Sequence, residues 1–125
     1  MLRGLADCEL DVMQVLWDFG GTTEQKKIKK ELERRKGREY SRPTVSTWLL
    51  RLKKRKLVEG FVKSGTSFYR PLVTREEYMR LELRILEKRL FGADSFSLVA
   101  AFADMTNLTE GDMQKIEDML RDWDK

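Results

Sequence analysis

The stretch SRPTVSTWLLRLKK, residues 41–54, and the stretch LVEGFVKSGTSFYRP, residues 57–71, together decide the fold. Ser41 supplies the side-chain oxygen that caps a helix N-terminus, and Pro43 falls in the first turn, where its missing N–H costs nothing. Apolar side chains then recur at helical spacing, which predicts a helix. In the second stretch Ser64-Gly65 separates two β-prone runs and predicts a hairpin with a two-residue turn.

The predicted helix has an apolar stripe, formed by Val45, Trp48, Leu49 and Leu52. At 100° per residue, hydroxyl and cationic side chains fall on the opposite face, as a helix that reads a DNA groove requires. The predicted DNA contacts, including one at the hairpin tip, are Arg42, Pro43, Thr44, Ser46, Thr47, Leu50, Arg51, Lys54 and Lys63.

Several of these residues have alternative roles. The hydroxyls of Thr44 and Thr47 reach phosphates or base edges, or they bond to their own helix backbone. Leu50 contacts a thymine methyl group or packs on the second helix. Arg42 reaches a guanine edge or a phosphate, and Arg51 and Lys54 contact phosphates or stay in solvent.

Two helices are predicted before this one. The first covers residues 7–19 and ends at Gly20-Gly21. Thr22 and Gln25 have the spacing of a capping box for the second helix, and Gly37 is its predicted C-cap. Three helices followed by a hairpin form a winged helix-turn-helix, so residues 1–73 are predicted to be a winged-helix DNA-binding domain.

Residues 74–125 are predicted to form a helical dimerisation region, which makes the fold mainly α. Capping boxes at Thr74 and Thr109 predict the starts of two helices. A third, short helix is predicted between these two, and Gly92 ends the helix that begins after Thr74. The apolar stripes exceed what so short a segment buries alone, although core packing within one chain is the alternative. The predicted dimer contacts are Leu83, Leu86, Leu90, Leu98, Val99, Phe102, Met113, Ile116, Leu120 and Trp123.

Charge is distributed unevenly along the chain. Residues 1–73 hold 17 Lys/Arg against 9 Asp/Glu, whereas residues 74–125 hold 8 against 12. A basic first part is typical of a protein that meets a polyanion at one end, although ordinary variation in surface charge also produces it.

The composition argues against several other classes of protein. The chain has no histidine and one cysteine, Cys8, which disfavours metal sites and histidine-based catalysis. No Gly-rich phosphate loop is present, so neither an enzyme nor a cofactor is expected. Without an 18-residue apolar run or a signal peptide, we expect a cytoplasmic protein that does not insert in the membrane.

Four groups of residues, in this order along the chain, resemble the penicillinase-repressor family, the BlaI/MecI-like regulators. They are Glu9-Leu10-Asp11-Val12-Met13 with Leu16-Trp17, then Ser41-x-x-Thr44-Val45-x-Thr47-x-Leu49-x-Arg51-Leu52, then Phe68-Tyr69-x-Pro71-Leu72-Val73 with Glu76-Glu77-Tyr78, and finally Ser97-Leu98-Val99 with Phe102 and Leu108-Thr109.

The resemblance implies a homodimer that represses transcription from a palindromic DNA operator until an inducer signal inactivates it. In the antibiotic-resistance members, a membrane sensor with a metalloprotease domain triggers cleavage before a phenylalanine in the dimer region. The matching bond here is Ala101-Phe102, with alanine where those members carry asparagine. Lys56 stands where relatives usually have glycine, which predicts a more strained helix-to-strand turn.

Two other functions are compatible with a basic winged helix. The basic face could bind an acidic protein partner, since fold does not fix function. It could also bind DNA without sequence preference, as nucleoid proteins do. A gel shift with DNA from the protein's own genetic neighbourhood separates these functions from sequence-selective repression.

Overall fold

The structure, a computed structural model, describes residues 4–92, 94–107 and 109–123, except for the side chains of Ser95, Thr106, Leu120 and Trp123. Its elements confirm the predicted mainly helical fold with an N-terminal winged helix-turn-helix. In chain order they are α1 (Asp7–Phe19), β1 (Thr23–Glu24), α2 (Gln25–Lys36), α3 (Arg42–Lys54), β2 (Val58–Lys63), β3 (Thr66–Pro71), α4 (Arg75–Phe91), α5 (Ser95–Thr106) and α6 (Glu110–Trp123).

The described residues separate into two compact units, the winged-helix unit Leu5–Tyr78 and a helical unit made of residues 79–123 with Gly4. In the winged-helix unit, α1, α2 and α3 surround a core of fully buried side chains. Its largest members are Met13, Leu16, Ile28, Leu32, Leu49 and Leu52. Gly20 and Gly37, both in the left-handed conformation, end α1 and α2 as their sequence positions predict.

Three antiparallel strands in the order β1-β3-β2 form the wing and its base. Ser64 and Gly65, with φ of 51° and 77°, make the predicted two-residue turn. Gly60 faces Tyr69 across the hairpin, and a Cβ atom at Gly60 would lie 2.6 Å from the tyrosine ring. A side chain at position 60 would therefore displace the ring that closes the core.

The predicted capping box at the start of α2 is wrong. The helix begins at Gln25 after Glu24, which makes no side-chain cap hydrogen bond. Thr23 and Glu24 instead pair with Tyr69 and Phe68 of β3, and Thr23 is buried. Strand pairing with β3, and not a side-chain cap, thus sets the backbone conformation of the residues that precede α2.

The first turn of α4 packs on α1 within the winged-helix unit. Thr74 and Glu77 form the predicted capping box, with a 3.0 Å hydrogen bond from the Glu77 N–H to the Thr74 hydroxyl. The Trp17 indole N–H donates to the carbonyl oxygen of Val73 at 2.9 Å, and the Arg75 guanidinium lies over the Trp17 ring, 5.5 Å from its centroid. These contacts attach the segment that follows the wing to the core.

In the helical unit, α5 and α6 lie against each other. Thr109 and Asp112 form the predicted capping box of α6, with a 3.1 Å bond from the Asp112 N–H to the Thr109 hydroxyl. Val99 is buried, whereas several large apolar side chains are exposed. Within the described part of the chain, every helix is too short or too polar to cross a membrane.

Candidate nucleic-acid interface

Helix α3 is anchored at its start and along one side. The Ser41 hydroxyl accepts a hydrogen bond from the Thr44 N–H at 3.2 Å, which confirms the predicted cap. Val45, Leu49 and Leu52 are buried in the core. The Gln25 side-chain amide donates to the Ser46 hydroxyl at 2.7 Å and joins α2 to α3. The core side of α3 is thus fixed by packing and hydrogen bonds, and its opposite face is exposed to solvent.

The predicted contact residues lie at the surface, either exposed or half-buried. Leu50 is 51% exposed, so about half of its surface is accessible to a ligand. No ion pair involves the cationic members of the set within the described residues. The exposed members are Arg42, Pro43, Thr47, Leu50, Arg51, Lys54 and Lys63, and the half-buried ones are Thr44 and Ser46.

All three hydroxyl groups of the set have a partner within the protein. The Thr47 hydroxyl donates to the carbonyl oxygen of Pro43 at 2.9 Å, and the hydroxyls of Thr44 and Ser41 are 2.7 Å apart. The Ser46 hydroxyl accepts from Gln25. Because the Thr47 proton is used inside the helix, its oxygen is left as an acceptor toward any ligand.

The cations at the C-terminal end of α2 are neutralised by carboxylates. Arg34 pairs with Glu31, Arg35 lies 2.8 Å from an oxygen of Asp18, and Lys36 lies 3.0 Å from Asp11. The hydrogen bond from Arg34 lowers the pKa of Glu31, and Asp11 raises the pKa of Lys36. Both directions favour the charged forms of the two side chains.

The N-terminal half of α2 is different. Lys29 is paired with Glu33 at 3.2 Å, whereas Lys26, Lys27 and Lys30 are exposed and have no ion pair among the described residues. These three lysines are not among the DNA contacts predicted from the sequence. The available signal was composition, since α2 holds seven Lys/Arg and only two carboxylates.

The turn between α3 and β2 confirms the predicted strain. Lys56 has a φ of 61°, a left-handed conformation that glycine adopts readily and a side chain with a Cβ atom does not. The N–H of Leu57 donates to the carbonyl oxygen of Leu52 at 3.0 Å and closes this turn. The turn sets where the wing leaves α3.

The predicted dimer contacts are only partly exposed on the surface of the chain. Leu86, Leu90 and Phe102 are exposed, and Val99 is buried within its own unit. The half-buried members are Leu83, Leu98, Met113 and Ile116. The side chains of Leu120 and Trp123 lie outside the described residues. The Ala101-Phe102 bond is in the interior of α5.

Comparisons with known proteins agree with this architecture. A family model described as penicillinase repressor matches residues 5–122. The chain is 25% identical over 117 residues to the penicillinase repressor of Staphylococcus aureus, covering 94% of this chain and 90% of that protein. It is 24% identical over 118 residues to the penicillinase repressor of Bacillus licheniformis, again covering 94% and 90%.

Solved structures show the same fold. The DNA-binding domain of the repressor BlaI is similar with a TM-score of 0.51 and 28% identity, covering 59% of this chain and 87% of that domain. RosR of H. salinarum has a TM-score of 0.55 at 19% identity, covering 96% of this chain and 94% of that one. The chain belongs to the penicillinase repressor family, whose members are DNA-binding transcriptional repressors and not enzymes.

Proposed function

We propose that the chain represses transcription as a homodimer bound to a palindromic operator, with α3 of each protomer in the major groove of one half-site. The observation that carries the proposal is the solvent-facing side of α3. There, hydroxyl groups and cations that have no ion pair among the described residues lie beside an exposed Leu50. Hydroxyls and guanidinium groups bind base edges and phosphates, and an apolar side chain suits a thymine methyl group.

The residues divide into readers and anchors. Arg42, Thr44 and Thr47 lie in the first two turns of α3, the part of a recognition helix that meets base edges. Arg51 and Lys54 lie farther along the helix, and Lys63 is next to the wing turn. These three cations contact phosphates, which position the protein without reading sequence.

Dimerisation supplies the affinity that one winged helix lacks. The helical unit exposes Leu90 to 67% and Phe102 to 51%, so a second copy has apolar area to cover. Two linked modules make the second docking step intramolecular and gain about 10²–10⁴ in avidity. Two-fold symmetry then requires an inverted-repeat operator.

An inducer signal releases the repressor by disabling the dimer. Cleavage at Ala101-Phe102 is the route that fits the family. In α5 this bond is helical, and proteases cleave locally opened chain, so cleavage requires local unwinding of α5. The intact chain and a chain cut at this bond should differ in dimerisation, which sedimentation measures.

The test of the proposal is selection of operators from a random duplex library by the full-length chain, followed by titration against the selected and a scrambled duplex. We expect inverted repeats. For a dimer with roughly 6–10 phosphate contacts, affinity should fall about 10³–10⁵-fold between roughly 50 and 200 mM salt. Binding to DNA without sequence preference would support a nucleoid-type protein, and no DNA binding would support an acidic protein partner.

A further inference from the structure

A groove of about 630 Å³ lies beside α3, between the N-terminal half of α2 and the tip of the wing. We name it the α2–wing groove. Lys26, Lys27 and Lys30 form one wall, residues 65–67 of the wing form the other, and Arg42 reaches it from the start of α3. The groove is fixed to the recognition helix, because the adjacent Gln25 side chain is bonded to Ser46.

The charge of this groove is not balanced among the residues that the structure describes. Two carboxylates line it, and one of them, Glu33, is already bonded to the Lys29 ammonium and the Tyr40 N–H. These two bonds, the one from Tyr40 foremost, lower the pKa of Glu33. The remaining carboxylate, Glu24, faces four cations that have no ion pair in the described part of the chain. A concave surface with such an excess of like charge attracts anions.

The fold does not explain why these lysines are present. Lys26, Lys27 and Lys30 are exposed, and they make no hydrogen bond among the described residues. Other cations of the same helix have a structural role, since Arg35 and Lys36 form ion pairs with carboxylates of α1. The N-terminal lysines are thus available to a ligand, whereas the C-terminal cations are used within the fold.

We propose that the α2–wing groove binds phosphate groups of the DNA backbone next to the half-site that α3 reads. The DNA source of the phosphates rests on the proposed function. Arg42 lies both on the outer face of α3 and at the edge of the α2–wing groove, so a duplex bound to α3 would run next to the groove. Each protomer then contacts more DNA than the recognition helix and the wing alone would cover.

The test compares two double variants of the full-length chain. Lys26→Ala/Lys30→Ala removes two unpaired cations from the groove, and the matched control Arg34→Ala/Lys36→Ala removes two paired cations from the same helix. Net charge changes equally, and alanine favours the helix in both. If each lysine meets one phosphate, the slope of log affinity against log salt falls by about 1.8 per protomer, or about 3.6 for a dimer.

The control should change that slope by less than about one unit, and neither variant should change the ratio of operator to scrambled affinity by more than about threefold, because phosphates carry no sequence information. A second arm replaces the flanking phosphates by neutral methylphosphonates. This change should weaken the wild type strongly and Lys26→Ala/Lys30→Ala much less, since that variant keeps only Lys27 and Arg42 of the four groove cations that have no ion pair among the described residues. Equal slope losses in the two variants would overturn the proposal.

A third arm separates DNA phosphates from a free anion. Tripolyphosphate is titrated into the DNA-free protein at constant ionic strength. Tight one-to-one binding that Lys26→Ala/Lys30→Ala abolishes, with an unchanged salt slope on DNA, would overturn the backbone assignment and make the groove a site for a free polyanion. If the wild type binds no duplex at all, the proposed function fails. If it binds and the two variants behave alike, only the groove proposal fails.

Discussion

Replacing Thr47 by valine tests whether α3 reads bases. Valine keeps the shape and the β-branching of threonine and removes only the hydroxyl. In the structure this hydroxyl donates to the carbonyl oxygen of Pro43 at 2.9 Å, on the exposed face of α3. Its oxygen is therefore left able to accept from a base, and the major-groove donors are the amino groups of adenine and cytosine. The selected operator should carry one of these bases opposite Thr47.

The expected loss follows from one hydrogen bond per protomer. A neutral hydrogen bond contributes about 1 kcal/mol net, so two half-sites lose about 2 kcal/mol, or about 30-fold in operator affinity. Affinity for a scrambled duplex should stay the same. Because Thr47 is exposed, the free energy of unfolding should change by less than about 0.5 kcal/mol.

The assay is a competition titration of the full-length protein against operator and scrambled duplexes at one salt concentration. Thr47→Ser is the matched control, since it keeps the hydroxyl and loses only a methyl group. We expect the ratio of operator to scrambled affinity to fall for valine and to hold for serine. Equal losses on both duplexes would mean that the Thr47 hydroxyl turns away from Pro43 and donates to a phosphate. No loss on either would restrict its hydroxyl to the helix, and both results refute base reading.

Three further substitutions test the turn, the packing of α4 and the dimer. Lys56→Gly should raise the free energy of unfolding by about 0.5–1 kcal/mol, because relief of the positive φ gains about 1–2 kcal/mol and exceeds the entropy cost of glycine. The assay is a denaturant titration. Lys56→Ala is the control and should give no gain in stability. Hydrogen bonds from Arg75 and Arg35 lower the pKa of Asp18 below its ordinary 3.8, so its contribution to stability is present above that pH and is lost as the pH falls through the lowered value. The melting temperature of Asp18→Asn should therefore lie below that of the wild type at pH 7 and approach it in acid, and a difference independent of pH would refute this assignment. Leu90→Asp should weaken the dimer about 100-fold or more by burying an unpaired carboxylate, whereas Lys88→Asp, on the other side of α4, should sediment as a dimer like the wild type.

Helix boundaries were predictable where the signal is local. Ser41, Thr74 and Thr109 each lie within three residues of their capping partner, and the structure contains all three caps. The turn at Ser64-Gly65 was predictable for the same reason, since two adjacent residues determine its backbone. These features need no knowledge of the rest of the chain.

The start of α2 failed because a distant segment overrides the local signal. Thr22 and Gln25 have capping-box spacing, but Thr23 and Glu24 pair with β3, which comes much later in the chain. Strand pairing both satisfies the hydrogen bonds of the backbone and buries Thr23, whereas a solvent-exposed cap would leave Thr23 at the surface. Spacing alone does not reveal such a partner.

The charge of α2 shows how far composition leads toward the site. The sequence alone shows an excess of seven cations over two carboxylates in one helix, which predicts cations without a partner in that helix. Which cations stay unpaired depends on Asp11 and Asp18, which the packing of α1 brings to the C-terminal half of α2. The uncompensated charge is therefore concentrated at the N-terminal half, beside Arg42 and the wing. Cations occur along the whole of α2 in the sequence, but in the fold those without an ion pair among the described residues are concentrated at its N-terminal half. This half lies next to α3, the helix proposed to read DNA.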